Sequence, residues 1–197
     1  MATVLVPLAQ GCEELEAVTI IDLLRRAGIT VVTASLSDQP VKASRGVMLV
    51  PDTTLDEALK QNYDMVVLPG GSQGADNLNA DLRIREILKK MSDSGKFIGA
   101  ICAAPKVLAN MGLLRGKSAT SYPGVLDNMV VQGMRFTGEA VVIDGKVITS
   151  RGPGTAMDFA LTLIEQLAGS AKRDEVERGL ARPGQLPCDR KQPETTR

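Results

Sequence analysis

The sequence predicts an α/β protein in three layers, with a mostly parallel central sheet covered by helices on both faces. Three observations carry this. Short β-rich runs alternate with helical ones along the chain. The runs read as strands are almost continuously apolar, as strands buried on both faces must be. A single tight hairpin signal, Asp144-Gly145 between two apolar runs, comes late in the series.

Each element has its own signal. Thr3 to Leu8 (TVLVPL) reads as a buried strand with Pro7 near its end. Glu13 to Ala27 reads as a helix, with Leu15, Val18, Ile21, Leu24 and Ala27 at three-residue steps and Gly28 as its stop. Ile29 to Ala34 is a second strand, and Val47 to Val50 a short one after the Arg45-Gly46 turn. Leu55 to Gln61 reads as helical, and Asp64 to Leu68 as a central strand ended by Pro69-Gly70-Gly71. Leu82 to Met91 is an amphipathic helix stopped by Gly95, followed by a strand over Lys96 to Ile101. That strand runs straight into Cys102 and a helix over Ala103 to Met111. Val141 to Asp144 and Val147 to Ser150 form the hairpin. Gly152-Pro153-Gly154-Thr155 makes a rigid entry to a helix over Ala156 to Ala168, closed by Gly169, and a shorter helix covers Lys172 to Leu180. Residues 1–180 therefore read as one domain. Residues 181–197, with Pro183, Pro187 and Pro193 among polar residues, read as a flexible tail.

Composition excludes several functions. The 197 residues carry 23 Lys plus Arg against 23 Asp plus Glu, so there is no basic excess to hold nucleic-acid phosphates. Aromatic residues make up 3% with no Trp, which argues against base-stacking platforms. There is no His, so neither a Ser-His-Asp nor a Cys-His system can be built, nor a metal site with His ligands. Cys12, Cys102 and Cys188 give no CxxC pair and no disulfide framework, which suits a reducing compartment. Met1 to Cys12 superficially resembles a lipoprotein leader, but it lacks a basic start and Glu13, Glu14 and Glu16 follow at once. No run approaches the ~20 apolar residues of a membrane span. A soluble, cytoplasmic protein without cofactor or metal is expected.

In open α/β sheets ligands sit beyond the carboxyl ends of the strands, where Ala9 to Glu16, Leu68 to Ser72 and Ile101 to Pro105 converge. Within GAICAA, Cys102 stands between a buried strand and a helix with small neighbours, the pattern of a nucleophile elbow. A helix beginning at Ala103 would favour thiolate over thiol at Cys102. A cysteine after an apolar strand is also a common small core residue. Glu13, Glu14 and Glu16 suit the first turn of a helix facing water. One of them facing the thiolate would be pushed toward its protonated form and would donate to the sulfur, but spacing alone does not choose among the three. Gly70-Gly71 permits close backbone approach or simply a turn. Arg25, Arg26 and Arg45 are candidate anion contacts or plain surface cations.

Taken together, GCEELEAVTIIDLLRRAGI, SRGV, YDMVVLPGG, GAICAAPKVLA and ITSRGPGTAMDFAL resemble the ThiJ/PfpI superfamily. They are most similar to its branch of YajL-like proteins and the Parkinson-disease-associated deglycase, over about residues 2–180. The resemblance implies a flavodoxin-like sandwich, usually a homodimer, with a reactive cysteine at the elbow. It puts Cys102 in the place of that cysteine and Glu16 in the place of the buried, protonated acid beside it. Gly71 and Ala103 fall where backbone N–H groups line an oxyanion pocket, with Gly70 beside them. Arg26 and Arg45 match cations near the pocket and the dimer interface. Many relatives have a His where this chain has Tyr122, and a phenol is a poor base at neutral pH. Protease-like members have a His directly after the cysteine, where this chain has Ala103, so peptidase activity is not expected. Cys12 is a candidate resolving thiol, and Cys188 an incidental one.

The implied activity is glutathione-independent conversion of small reactive aldehydes, or hydrolysis of glycated adducts, as a glyoxalase III-type lyase or deglycase. The alternative is a redox sensor or redox-regulated chaperone working through oxidation of Cys102.

Overall fold

A computed structural model describes residues 1–182. The chain enters through β1 (Thr3–Leu8), α1 (Glu14–Arg26) and β2 (Thr30–Ser35). A small hairpin of β3 (Val41–Lys42) and β4 (Met48–Leu49) precedes β5 (Thr53–Thr54) and α2 (Leu55–Ala58). Next come β6 (Met65–Leu68), α3 (Ser72–Ala80), α4 (Leu82–Asp93), β7 (Phe97–Ile101) and α5 (Pro105–Asn110). The short β8 (Ser118–Ala119) and β9 (Arg135–Phe136) pair with each other. β10 (Val141–Asp144), β11 (Val147–Ser150), α6 (Ala156–Ala168) and α7 (Ser170–Gly179) complete the described chain.

Seven strands form one sheet in the order β10-β11-β7-β6-β1-β2-β5. Every pairing in it is parallel except the β10–β11 hairpin. Strand alternation assigns side chains to two cores. Val4, Val6, Leu8, Met65 and Val67 pack toward α1 and α6, while Leu5, Val66, Leu68, Ile98 and Ala100 pack toward α3, α4 and α5. After β1 the chain moves outward to β2 on one side, then returns to lay β6 on the other. The crevice between β1 and β6 is thus the point where strand order reverses, the usual place for a ligand in such sheets.

Some expectations from the sequence are corrected. On α1 the buried residues are Glu16, Ala17, Ile20, Leu23 and Leu24, whereas Leu15 and Val18 face outward. Three-residue steps lag a 3.6-residue turn and drift around the helix, so that apolar series is not one face. No helix is expected where α3 forms, and its polar SQGADNLNA is held by the burial of Gly74, Ala75 and Leu78. The helix expected over Leu55 to Gln61 stops at Ala58. The helix after Cys102 begins at Pro105, because Pro suits the first helical position and Ala103-Ala104 are spent on the turn. Of the expected tail, Ala181 and Arg182 are described, and Arg182 is anchored to Asp158 at 2.7 Å. The rest, with Cys188, lies outside the described residues. Among the described residues no helix is long and apolar enough to cross a membrane.

Candidate active site

Three neighbouring strands deliver the site. The loop after β1 carries Glu13 and leads into Glu16 on α1, β6 ends at Gly70-Gly71, and β7 ends at Cys102. The loops are stitched together by backbone bonds: Glu13 N–H donates to Gly70 O at 3.0 Å and Gly74 N–H to Gly11 O at 3.2 Å. Gly71 has φ +85°, and a Cβ there would lie 2.7 Å from Glu13 N. Only glycine allows both the conformation and the approach.

Cys102 adopts the left-handed region at φ +64°. This costs a residue with a Cβ about 1–2 kcal/mol. The surrounding structure holds it there from both sides. Its N–H donates to Ser150 O at 3.0 Å, extending the β7–β11 pairing, and its carbonyl accepts from Tyr122 N–H at 2.9 Å. The thiol is turned to one wall of a cavity of about 640 Å³. Gly71, Ala103, Arg45, Lys106, Tyr122 and Glu13 also line it.

Glu16 is fully buried behind this wall. Its Oε2 accepts from Gly70 N–H at 2.9 Å, its Oε1 has no hydrogen-bonding partner among the described residues, and the carboxyl interacts with the neighbouring Cys102 thiol. Burial pushes the Glu16 pKa up to about 7, with the charge of Glu13 adding to the rise, while Cys102 and Gly70 N–H oppose it. Burial and the Glu16 charge push Cys102 up to about 12, opposed by the N–H groups of Gly71 and Ala103, which point at the sulfur. The two groups therefore ionise as a unit: one proton leaves near neutrality and the second is retained far above it. In the singly charged state a protonated Glu16 carboxyl can donate to the sulfur, while two backbone N–H groups support a thiolate there.

This differs from the expectation that helix position alone would lower the Cys102 pKa. The six-residue α5 starts three residues on, and desolvation dominates. The three acids have separated. Glu13 caps α1 by accepting from Glu16 N–H at 2.7 Å. Glu14 accepts from Ser44 Oγ at 2.9 Å and Arg45 N–H at 2.8 Å, and Glu16 faces the cysteine.

Arg45 lines the cavity, but Arg26 does not. Arg26 ends α1, ten residues and about 15 Å of helix beyond Glu16, where it pairs with Asp22 at 2.7 Å. Within the single chain it therefore stands away from the cavity. Tyr122 is half exposed, with its ring against Gly152, where a Cβ would lie 3.2 Å from Cδ2. Cys12 is fully buried, its pKa pushed up to about 12 by burial and the neighbouring glutamates, and it does not line the cavity. Lys106 was not singled out from the sequence. Its position one turn beyond Cys102, at the start of a helix, is the signal that could have found it.

Comparison with known proteins agrees with this architecture. The model of the DJ-1/PfpI family matches residues 2–166. Protein dj-1beta of Drosophila melanogaster is 46% identical over 177 residues, covering 89% of this chain and 95% of the fly protein. Its crystal structure superposes with a TM-score of 0.87, covering 91% of this chain and 97% of that one. The glutathione-independent glyoxalase DJR-1.2 of Caenorhabditis elegans is 38% identical over 175 residues, covering 89% and 92%. The structure described as Toxoplasma gondii DJ-1, oxidized, has 39% identity and a TM-score of 0.87, covering 91% and 98%.

Proposed function

Because this chain belongs to the DJ-1/PfpI family, we propose that it converts small reactive carbonyl compounds without glutathione, with Cys102 as nucleophile and Glu16 as its proton partner. The observation that carries this reading is the pairing of a cavity-wall cysteine with a fully buried glutamate that interacts with that thiol and keeps one carboxyl oxygen without a hydrogen-bonding partner.

The reaction on methylglyoxal follows from that pair. The Cys102 thiolate adds to the aldehyde carbon, and the resulting alkoxide takes up a proton to give a hemithioacetal. The N–H groups of Gly71 and Ala103 stabilise the oxyanion. Glu16, as carboxylate, removes the proton from the former aldehyde carbon, and the same proton equivalent is delivered to the adjacent carbon. The product is a lactyl thioester, which water hydrolyses to lactate and free Cys102. One water is consumed and no external oxidant or reductant is needed. Early adducts on amines join the same route if Cys102 displaces the amine at the carbinol carbon, which is the deglycase form of the activity.

Production of lactate from methylglyoxal without glutathione, followed by chiral chromatography, tests the proposal. Many turnovers per protein, abolished in Cys102→Ala, are expected. A single equivalent of aldehyde trapped without lactate would overturn it. That outcome would favour a second reading, supported by the oxidized Toxoplasma gondii relative. In it the thiolate attacks peroxide, the O–O bond breaks, and sulfenate and water result.

A further inference from the structure

We propose that Lys106 and Arg45 make this pocket selective for carbonyl compounds bearing a carboxylate, so that 2-oxoaldehydes with an anionic tail are preferred over neutral methylglyoxal. The inference rests on the reading of Cys102 as the reacting thiol and goes beyond it by naming the substrate's second group.

Lys106 lies four residues, just over one helical turn, beyond Cys102, and both line the same cavity. Its side chain is only 20% exposed, and its Nζ donates to Asp76 Oδ1 at 2.6 Å. That contact fixes the ammonium at the wall while using one of its three donors, leaving two for a ligand. Asp76 is itself 65% exposed, so water takes up much of its charge. Arg45 is anchored differently. Its backbone N–H is held by the Glu14 carboxylate at 2.8 and 3.1 Å, whereas its guanidinium has no hydrogen bond or ion pair among the described residues. A planar, weakly hydrated cation without a partner, at the mouth of a pocket, is suited to a carboxylate.

The opposing charges decide the class of anion. Glu13 lines the same cavity, but its carboxylate is committed to the N-terminus of α1. The Cys102–Glu16 pair carries one further negative charge near neutrality. These two negative charges match the two cations, so the pocket has no surplus positive charge for a dianion, and the spare N–H groups of Lys106 and the open guanidinium of Arg45 suit a carboxylate better than a phosphate dianion. None of the neutral residues of the wall would reward methylglyoxal in the same way.

Alkylation of Cys102 reads the selectivity without any turnover. Iodoacetate and iodoacetamide lose iodide to the same thiolate and differ chiefly in charge. The wild type should show an iodoacetate-to-iodoacetamide rate ratio well above that of free cysteine in the same buffer. Lys106→Gln should lower the ratio about tenfold, as expected for one lost charge-assisted contact. Lys106→Arg should largely keep it, Asp76→Asn should raise it, and added salt should reduce it. In parallel, the kcat/KM ratio of 4,5-dioxopentanoate to methylglyoxal should fall in Lys106→Gln and in Arg45→Gln. A wild-type alkylation ratio equal to that of free cysteine, or one unchanged in a folded Lys106→Gln protein, would overturn the inference while leaving carbonyl conversion standing. A ratio that responds to Lys106 in a protein that makes no hydroxy acid would uphold the anion selectivity and refute the proposed reaction.

Discussion

Gly70 N–H donates to Glu16 Oε2 at 2.9 Å across 54 residues of sequence, tying the first turn of α1 to the end of β6 beneath Cys102. This bond fixes the carboxyl beside the Cys102 thiol and leaves its other oxygen without a hydrogen-bonding partner. The close approach of Cys102 and Glu16 to this backbone is what requires glycine at position 70.

A Cβ at Gly70 would stand 2.5 Å from Cys102 Cβ and 2.6 Å from Glu16 Oε2. Neither neighbour can retreat, since one is pinned through its backbone and the other is fully buried. Gly70→Ala should therefore destabilise the fold by about 1–3 kcal/mol. Thermal melting should fall accordingly, and the reactivity of Cys102 toward alkylating agents should fall at least tenfold in the protein that remains folded.

Burial raises the Glu16 pKa from 4.5 to about 7. Between those values the folded chain keeps a proton that the unfolded chain has released, so stability declines as pH rises through this window. The full loss is roughly 3 kcal/mol and is complete above about pH 7. Glu16→Gln cannot ionise and should be free of this decline. Its melting temperature should gain on the wild type by several degrees between about pH 5 and about pH 8. Parallel curves for the two proteins would show that Glu16 does not hold its proton.

The sequence revealed those parts of the fold that depend on local pattern. Continuous apolar runs located β1, and Asp144-Gly145 placed the β10–β11 hairpin to the residue. Gly169 correctly ended α6. What it concealed depends on tertiary contact. α3 is polar and contains Gly74, which packs so closely on the loop after β1 that a Cβ there would lie 2.6 Å from the Cα of Cys12. The site was legible at Cys102 because small residues flank it, but the choice of Glu16 among three acids needed family resemblance. Its pairing with Gly70 spans the chain and leaves no mark in local spacing. Arg26, which the resemblance put near the pocket and the dimer interface, stands at the opposite end of the helix from Glu16 and does not line the cavity of its own chain.

Leu15 and Val18 of α1 are about half exposed, as are Val47 and Met48, and Val50 is 82% exposed. The bonds from Glu14 to Ser44 and Arg45 tie the β3–β4 hairpin to the start of α1, making these apolar side chains parts of one surface. A second copy of the chain is the expected cover, as the family resemblance also implies. Sedimentation should give twice the 20.9 kDa chain mass, and Val18→Asp with Met48→Asp should shift it to the single-chain value. A wild-type protein sedimenting as a single chain at micromolar concentration would contradict this.

The central claim is that Cys102 and Glu16 work as one unit, the thiol capturing the aldehyde and the carboxyl moving the proton. It is tested most directly by giving methylglyoxal to Glu16→Gln and measuring, in one sample, free Cys102 thiol and lactate. The account predicts that the aldehyde still consumes the thiol reversibly while lactate formation falls by at least about a hundredfold, the usual worth of a positioned acid–base group. Lactate formed by Glu16→Gln at the wild-type rate would contradict it.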